Sequence, residues 1–403
     1  MKEHKLEFSR RGGAGDAAAA GGAIEYNGAE QSGLALPGDD TSGYLTDQLI
    51  TYIGNKRTLL PLIARGVQAA TRRLGVNEPV MADLFSGSGV VARFFKRYAG
   101  ALIVNDLEPY AEIINRCYLA NRGEVDADEL GAAYNELRAQ LAGELDRDGM
   151  IARRYAPRYD SAIRAGERVF YTRRNARYLD TARRLIGALS ERLQPLLIGP
   201  LLSEASVHAN TAGVFKGFYK DRETGIGRFG GSNGDAMTRI TGSIELQLPI
   251  LSRYSLPVEI HRDDAATVVG SLPELDIAYL DPPYNQHPYG SNYFMLNLLT
   301  EYREPQRLSR VSGIPDNWRR SAYNSRKRAL SALTDLIERI PAKVVLVSFN
   351  SEGFITHEQL KTMLSRHGRL EVLAQRYNTF RGSRNLRNRS IHVTEYLFLL
   401  ERS

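Results

Sequence analysis

The four residues Asp281-Pro282-Pro283-Tyr284 follow an apolar run, Asp276–Leu280, with the β-branched and aromatic make-up of a buried strand. Two prolines fix φ, supply no N–H and hold each preceding residue extended. The chain therefore leaves the strand with rigidly placed carbonyl oxygens and no local donor to occupy them. Asp281 adds a side-chain acceptor beside the Pro282 carbonyl, and two neighbouring acceptors suit an –NH2 group. Tyr284 adds a flat face on which a nucleobase can stack. Together they read as a clamp for a planar amine. The amine of adenine is a poor nucleophile because its lone pair is delocalised into the ring. Hydrogen bonds from both N–H groups to the two acceptors favour a tetrahedral nitrogen and stabilise the positive charge of attack. A sulfonium methyl held in line would complete the transfer, largely by positioning. Taken alone, the same four residues also serve as an ordinary strand terminator.

A second stretch, Asp83–Phe95 (DLFSGSGVVARFF), puts Gly87 and Gly89 between a strand and a helix. Glycines there permit a tight turn and let a ligand approach the backbone. The next strand ends at Asp106, where a carboxylate can bind ribose hydroxyls. G-S-G-V-V-A also satisfies the dinucleotide fingerprint, with an acid about 20 residues on. An adenosine-bearing cofactor is expected. The motif leaves nicotinamide and S-adenosylmethionine both open, and a plain tight turn as well.

The elements that must position these groups alternate. A helical period runs to Leu74 after the turn Tyr52–Lys56 (YIGNK). Strand, Gly-rich turn, helix, strand (ALIVNDLEPY) and helix (AEIINRCYLANR) follow as a βαβ beginning. From Gly123 to Gln247 the alternation breaks into polar sequence rich in Arg and Tyr. It resumes with LPVEIHRDDA, the strand before Asp281, the helix-capable NYFMLNLLTEY, the strand AKVVLVSFN, the helix THEQLKTMLSRH and two closing strands. In a doubly wound sheet, the strand before the Gly-rich turn and the strand before Asp281 can be neighbours, with one crevice at their carboxyl ends. One α/β sheet split by a long insertion is the simplest architecture.

The chain has 403 residues, 43% of them hydrophobic, enough for a sizeable core in one large domain or two smaller ones. A formal charge of +7 favours a polyanionic partner, though weakly by itself. The one cysteine, Cys117, excludes an internal disulfide and a Cys-rich zinc site, and fits a small apolar position on a helix. Histidine spacing indicates no metal. No apolar run is long enough to span a membrane and the start is not a secretory signal, so a cytoplasmic protein is expected. Residues 1–43, rich in Gly, Ala and Ser, are expected to be a disordered leader.

Three stretches in this order, Tyr52–Lys56 (YIGNK), Asp83–Gly89 (DLFSGSG) and Asp281–Tyr284 (DPPY), resemble the D12 class, the alpha-type order of DNA adenine N6-methyltransferases. The resemblance covers most of residues 49–121 and 256–400. It implies a Rossmann-like S-adenosylmethionine-dependent methyltransferase sheet, with a cofactor-binding half over 44–122, a target-recognition insertion over 123–250 and a catalytic half over 251–403. By the same resemblance, Tyr52, Gly54 and Lys56 would line the methionine end of the cofactor. Asp83, Phe85, Gly87 and Gly89 belong to its cradle, Asp106 would hold the ribose, and Asp263 or Asp264 would meet its adenine amine. Asp281, Pro282, Pro283 and Tyr284 would form the catalytic clamp.

The insertion is where duplex DNA would be read. Lys216, Arg222 and Arg228 lie in the Gly-punctuated, aromatic-rich stretch NTAGVFKGFYKDRETGIGRFGG, and such loops can enter a groove. Arg153–Arg184 is crowded with arginines, about half of which would be a solvated face. Arg381 and Arg384, in the basic run Arg376–Arg389, are candidates for a phosphate clamp. Expected partners are double-stranded DNA and a possible cognate restriction endonuclease, with the chain a monomer. An RNA adenine methyltransferase, a cytosine N4-methyltransferase, a nicotinamide-dependent oxidoreductase and a non-enzymatic DNA-binding protein remain the alternatives. The oxidoreductase leaves Asp281–Tyr284 idle, and the binding protein leaves both cofactor motifs idle.

Overall fold

The computed structural model describes residues 44–45, 48–231, 234, 236–378 and 392–403. The expected leader and the candidates Arg381 and Arg384 lie outside the described residues. Seven strands form one sheet: β1 (Val80–Asp83), β2 (Ala101–Asn105), β3 (Val258–His261), β4 (Leu275–Leu280), β5 (Ala342–Asn350), β6 (Gly368–Asn378) and β7 (His392–Arg402). Their order is β3-β2-β1-β4-β5-β7-β6. The first five run parallel, and β7 is antiparallel to both β5 and β6. The expected doubly wound α/β sheet is present.

The order in which successive strands are laid along the sheet reverses between β1 and β4, which pair in parallel with Asp83 opposite Tyr279. That pairing joins the strand before the Gly-rich turn to the strand before Asp281, as the alternation anticipated. Neighbouring carboxyl ends at a reversal leave a crevice, because the helices that follow them depart to opposite faces.

The central strands read as continuous apolar runs because both faces are covered. Met81, Ile277, Tyr279, Val344 and Leu346 enter one core, under the helices Leu60–Leu74 and Val90–Phe95. Ala82, Ala278, Leu280, Val345 and Val347 enter the other, under Ala329–Arg339 and His357–Leu364. The second of those helices starts with a full capping box between Thr356 and Gln359, which satisfies two orphan N–H groups.

Residues between β2 and β3 form a helical layer: Ala127–Leu141, Met150–Tyr155, Arg173–Gly187, Gln194–Val207 and the short Met237–Thr241. Its apolar side chains join Tyr110, Ile114 and Cys117 of the helix Pro109–Tyr118, and Phe294 to Leu299 of the helix Phe294–Glu301, in a third core. Cys117 is buried there, in the apolar helical position expected of it. Helix Gln194–Val207 comes so close to Pro109–Tyr118 that a Cβ on Gly199 would stand 2.7 Å from Cys117 Sγ.

Most of the crowded arginines bind their own protein. Arg183 donates to the Leu299 and Thr300 carbonyls, Arg173 to Ala152 and Arg147, and Arg177 to Asp146 and Leu145. Arg153 and Arg154 pair with Glu304, and Arg184 with Asp146. These guanidiniums cap helix ends and loop carbonyls, so the Arg-rich look of this segment is largely a packing property.

Because the layer and the sheet share a core, Gly199→Val should destabilise the whole chain, by about 1–3 kcal/mol for overpacking of a tight contact. Urea denaturation followed by far-UV circular dichroism and by tyrosine fluorescence should show one transition at a lower midpoint. Two separated transitions would mean that the helical layer unfolds by itself.

Candidate active site

A cleft opens at the β1–β4 reversal. Tyr52, Gly54 and Lys56 line it from the turn before the first helix, and Asp83 and Phe85 from the end of β1. Asp106 joins them from the end of β2, Asp263 and Asp264 from the end of β3, and Asp281 and Pro283 from the end of β4. Ten of the residues singled out from the sequence thus meet in one space. Gly87, Gly89, Pro282 and Tyr284 are not among the lining residues.

The glycines of the turn have left-handed backbones, Gly87 with φ 52° and Gly89 with φ 72°. A Cβ on Gly87 would fall 2.7 Å from Tyr52 Oη, and one on Gly89 would fall 2.6 Å from Asn115 Oδ1. These two positions therefore need glycine for the protein's own contacts, whatever the ligand. Asp106 holds the same turn: its carboxylate accepts from Gly87 N at 2.7 Å and from Glu108 N at 2.9 Å. Asp83, buried beside it, accepts from Phe85 N at 3.4 Å through one oxygen, and its Oδ2 has no hydrogen-bond partner. Burial pushes the Asp83 carboxyl well above its usual range, Asp281 and Asp106 adding to the shift. A buried acceptor left open on a cleft calls for a donor from a ligand, and a cationic donor most of all.

The clamp is organised from below by an ion cluster. Lys56 Nζ lies 3.1 Å from Asp281 Oδ1 and 2.8 Å from Glu395 Oε1. The ion pair with Lys56 is made by a buried oxygen of Asp281. Ser348 Oγ on β5 donates to Glu395 at 2.9 Å. Lys56 and Asp281 both line the cleft, 3% and 17% exposed, so the aspartate is the more accessible of the two. Burial pushes the Asp281 carboxyl up to about 7, with Lys56 opposing the shift and Glu395 adding to it. Burial alone would lower the Lys56 amine, but the two carboxylates outweigh it and keep it protonated. The Lys56 ammonium thus meets Asp281 and, on β7, Glu395, while the residue lines the cleft beside Tyr52 and Gly54.

The Pro282 carbonyl accepts no hydrogen bond among the described residues. Tyr284 packs against Phe349 with ring centroids 5.3 Å apart, and its carbonyl accepts from Phe354 N at 2.9 Å. The turn at Tyr284 is thus pinned while the residue stays half-buried, next to the lining residue Pro283.

Several contributors escape sequence reasoning. Tyr52 stacks on Tyr289 and Tyr293, with centroids 5.1 and 4.9 Å away, and its hydroxyl lies 3.1 Å from that of Tyr110. Glu108 lines the cleft, receives a hydrogen bond from Asn297 at 2.7 Å and is pushed up to about 7 by burial. Tyr323 sets its ring edge to face against Phe85. Glu395 had a legible signal: it stands in register with Val393, Leu397 and Leu399 on a buried face, where a lone charge demands a partner.

Both acids of the pair Asp263 and Asp264 border the cleft. Asp264 caps a short helix through Ala266 N, and Asp263 Oδ1 accepts the Asp264 N–H. In the insertion, Lys216 Nζ lies 3.3 Å from Nδ1 of His287, three residues past Tyr284. Arg222 is exposed at the tip of a small hairpin in which Lys220 bridges Gly227 and Arg228 N donates to Tyr219 O. Arg228 turns its guanidinium to the Gly231 carbonyl at 3.1 Å.

The model of the D12 class N6 adenine-specific DNA methyltransferases matches residues 52–147 and 247–363, more than half of the chain. The unmatched gap falls in the helical layer. The chain is 25% identical over 362 residues to the type II methyltransferase M.NlaIII of Neisseria lactamica, covering 88% of this chain and all of that one. It is 26% identical over 360 residues to M.CviAII of Paramecium bursaria Chlorella virus 1, covering 87% and 98% of the two chains. It is 27% identical to the modification methylase StsI of Streptococcus sanguinis over 87% of its own length and 52% of that protein's. With its three motifs gathered at one crevice and its family match on both sides of the insertion, the chain belongs to the D12 class of N6 adenine-specific DNA methyltransferases.

Proposed function

We propose that the chain methylates the N6 amine of adenine at a specific site in duplex DNA, using S-adenosylmethionine, as the modification enzyme of a restriction–modification system. The observation that carries this is the meeting, in one cleft, of the Asp281 carboxylate held by Lys56 at the end of β4 and of the buried Asp83 carboxylate, whose Oδ2 has no hydrogen-bond partner. The Pro282 carbonyl, next in the chain after Asp281, accepts no hydrogen bond among the described residues. The named relatives are type II methyltransferases and a modification methylase, which favours the restriction–modification setting. A cognate endonuclease, a monomeric state and a cytoplasmic site belong to the same proposal. Among the described residues no helix is long and apolar enough to cross a membrane.

The residues fit S-adenosylmethionine. Asp83 Oδ2 would take the ammonium of its methionine end, Asp106 with Glu108 its ribose, and Asp263 or Asp264 its adenine amine. When bound, it supplies an electrophilic methyl group. Everything else is the work of the chain. Tyr284 and the two acceptors orient the target amine, and ionised Asp281 with the Pro282 carbonyl draws on its two N–H bonds. Lys56 stops Asp281 from turning away. The surplus proton of the methylated nitrogen leaves toward Asp281, the nearest acceptor. A paired and stacked adenine cannot reach a clamp at the base of a cleft, so the base must swing out of the helix. The insertion, residues 123–250, is assigned to target recognition, with Lys216 beside the clamp mouth and Arg222 at the hairpin tip.

Asp281→Ala should cut methyl transfer by at least about 100-fold, the usual loss for a transition-state acceptor, while cofactor affinity by titration calorimetry stays put. Activity within tenfold of wild type would remove Asp281 from the mechanism.

The clamp works in its ionised form, so the single-turnover rate should fall as pH drops through about 7. Glu395→Gln removes a like charge and should move that limb to lower pH. Lys56→Met removes the opposing cation and should move it higher. An unmoved midpoint in both variants would mean that another group titrates.

A 2-aminopurine at the target position should brighten when the duplex binds. No change with a bound, correctly placed probe would point to a base that stays stacked.

A further inference from the structure

Between the helices Phe294–Glu301 and Ala329–Arg339 runs a strap, residues 303–328, whose only regular element is the single turn Ala322–Asn324. It carries eight Arg and Lys against two acids, a surplus of six in a chain whose whole surplus is seven. Arg303, Arg307 and Arg310 stand at one end. Arg326, Lys327 and Arg328 stand at the other, with Arg319 and Arg320 between. All eight are exposed, and none forms an ion pair with a carboxylate among the described residues. One of the two acids, Glu304, is already neutralised by Arg153 and Arg154 of the helical layer, each at 2.8 Å. One of the eight cations, Arg319, also donates to the Leu107 carbonyl at 3.0 Å, whereas most of the arginines crowded in Arg153–Arg184 are spent on the protein's own carbonyls and acids.

The strap frames the mouth of the clamp. Asn324 donates to the carbonyl of Asn285, next to Tyr284, at 2.9 Å. Arg326 lies 4.9 Å over the ring of Phe354, whose N–H is bonded to the Tyr284 carbonyl. On the other side Ser312 Oγ donates to the Lys216 carbonyl, which brings the Arg310 end beside Lys216 and His287. Arg319, Ser321, Tyr323 and Asn324 themselves line the cleft.

We propose that residues 303–328 are a phosphate-binding rim that grips the duplex backbone around the flipped adenine, giving affinity without sequence preference. This rests on duplex DNA as the substrate. Exposed, unpaired cations bordering the place where a base must leave the helix suit phosphates, which supply most of the sequence-independent affinity. The rim holds the duplex while the insertion reads it.

The test uses the full chain with two variants, Arg307→Gln/Arg310→Gln and Arg326→Gln/Lys327→Gln/Arg328→Gln. Affinity for cognate and scrambled duplexes is measured across salt, alongside S-adenosylmethionine affinity and the single-turnover rate at saturating DNA. Each lost phosphate contact should lower the salt slope by ~0.9, so the triple variant loses up to about three units. Affinity should fall equally for both duplexes, and cofactor affinity and saturated rate should be unchanged, which also shows that the variants are folded. Wild-type slopes in both variants, with DNA still bound and methylated, would overturn the rim. So would a loss confined to the cognate duplex, because it would mean base reading. A wild-type chain that methylates no duplex would instead defeat the functional reading itself, and the rim with it.

Discussion

A buried ammonium shared by two carboxylates holds this active site together. Lys56, Asp281 and Glu395 come from a turn before the first helix, the end of β4 and the last strand, and none could be buried alone. An unpaired charge in the interior costs several kcal/mol, whereas a paired one fixes geometry at little net gain in stability. The cluster therefore specifies more than it stabilises. Because β5 lies between β4 and β7, Ser348 on β5 can donate to Glu395 beneath the pair. The sheet order and the orientation of the Asp281 carboxylate are in this sense one arrangement.

The cleft above this cluster follows from the reversal of the sheet. The Gly-rich turn and the clamp lie at adjacent strand ends, β1 and β4, so a donor of methyl groups and an acceptor amine can share one space. Tyr52 ties the two halves. Its ring stacks on Tyr289 and Tyr293 after the clamp, and its hydroxyl fills the room that a side chain at Gly87 would need. The N-terminal turn thus acts as a bracket between motifs almost two hundred residues apart.

The helical layer solves a different problem. It covers the helix Pro109–Tyr118 and the helix after the clamp, and shares a core with both. Arginines that cap its carbonyls, such as Arg173, Arg177 and Arg183, are drawn inward by that packing. The strap, residues 303–328, differs in that its eight cations are exposed and form no ion pair among the described residues, while Arg168 of the layer donates to its Ser309 and Val311 carbonyls.

Short motifs sufficed to determine the strand–turn–helix at Asp83–Phe95, the end of β4 at Asp281–Tyr284, the two-sided burial of β4 and the family. Each depends on local rules: proline and glycine backbones, strand propensity and hydrophobic period. The described residues also bear out a sheet interrupted by an insertion. Only the tertiary structure decided that Lys56 serves Asp281 and Glu395, that Glu108 and Tyr323 join the cleft, and which arginines are spent internally. Those outcomes depend on partners far apart in the chain, such as Lys56 and Glu395, which share no local pattern. The role of a charge is set by what lies within a few ångströms of it, and only the folded chain determines those neighbours.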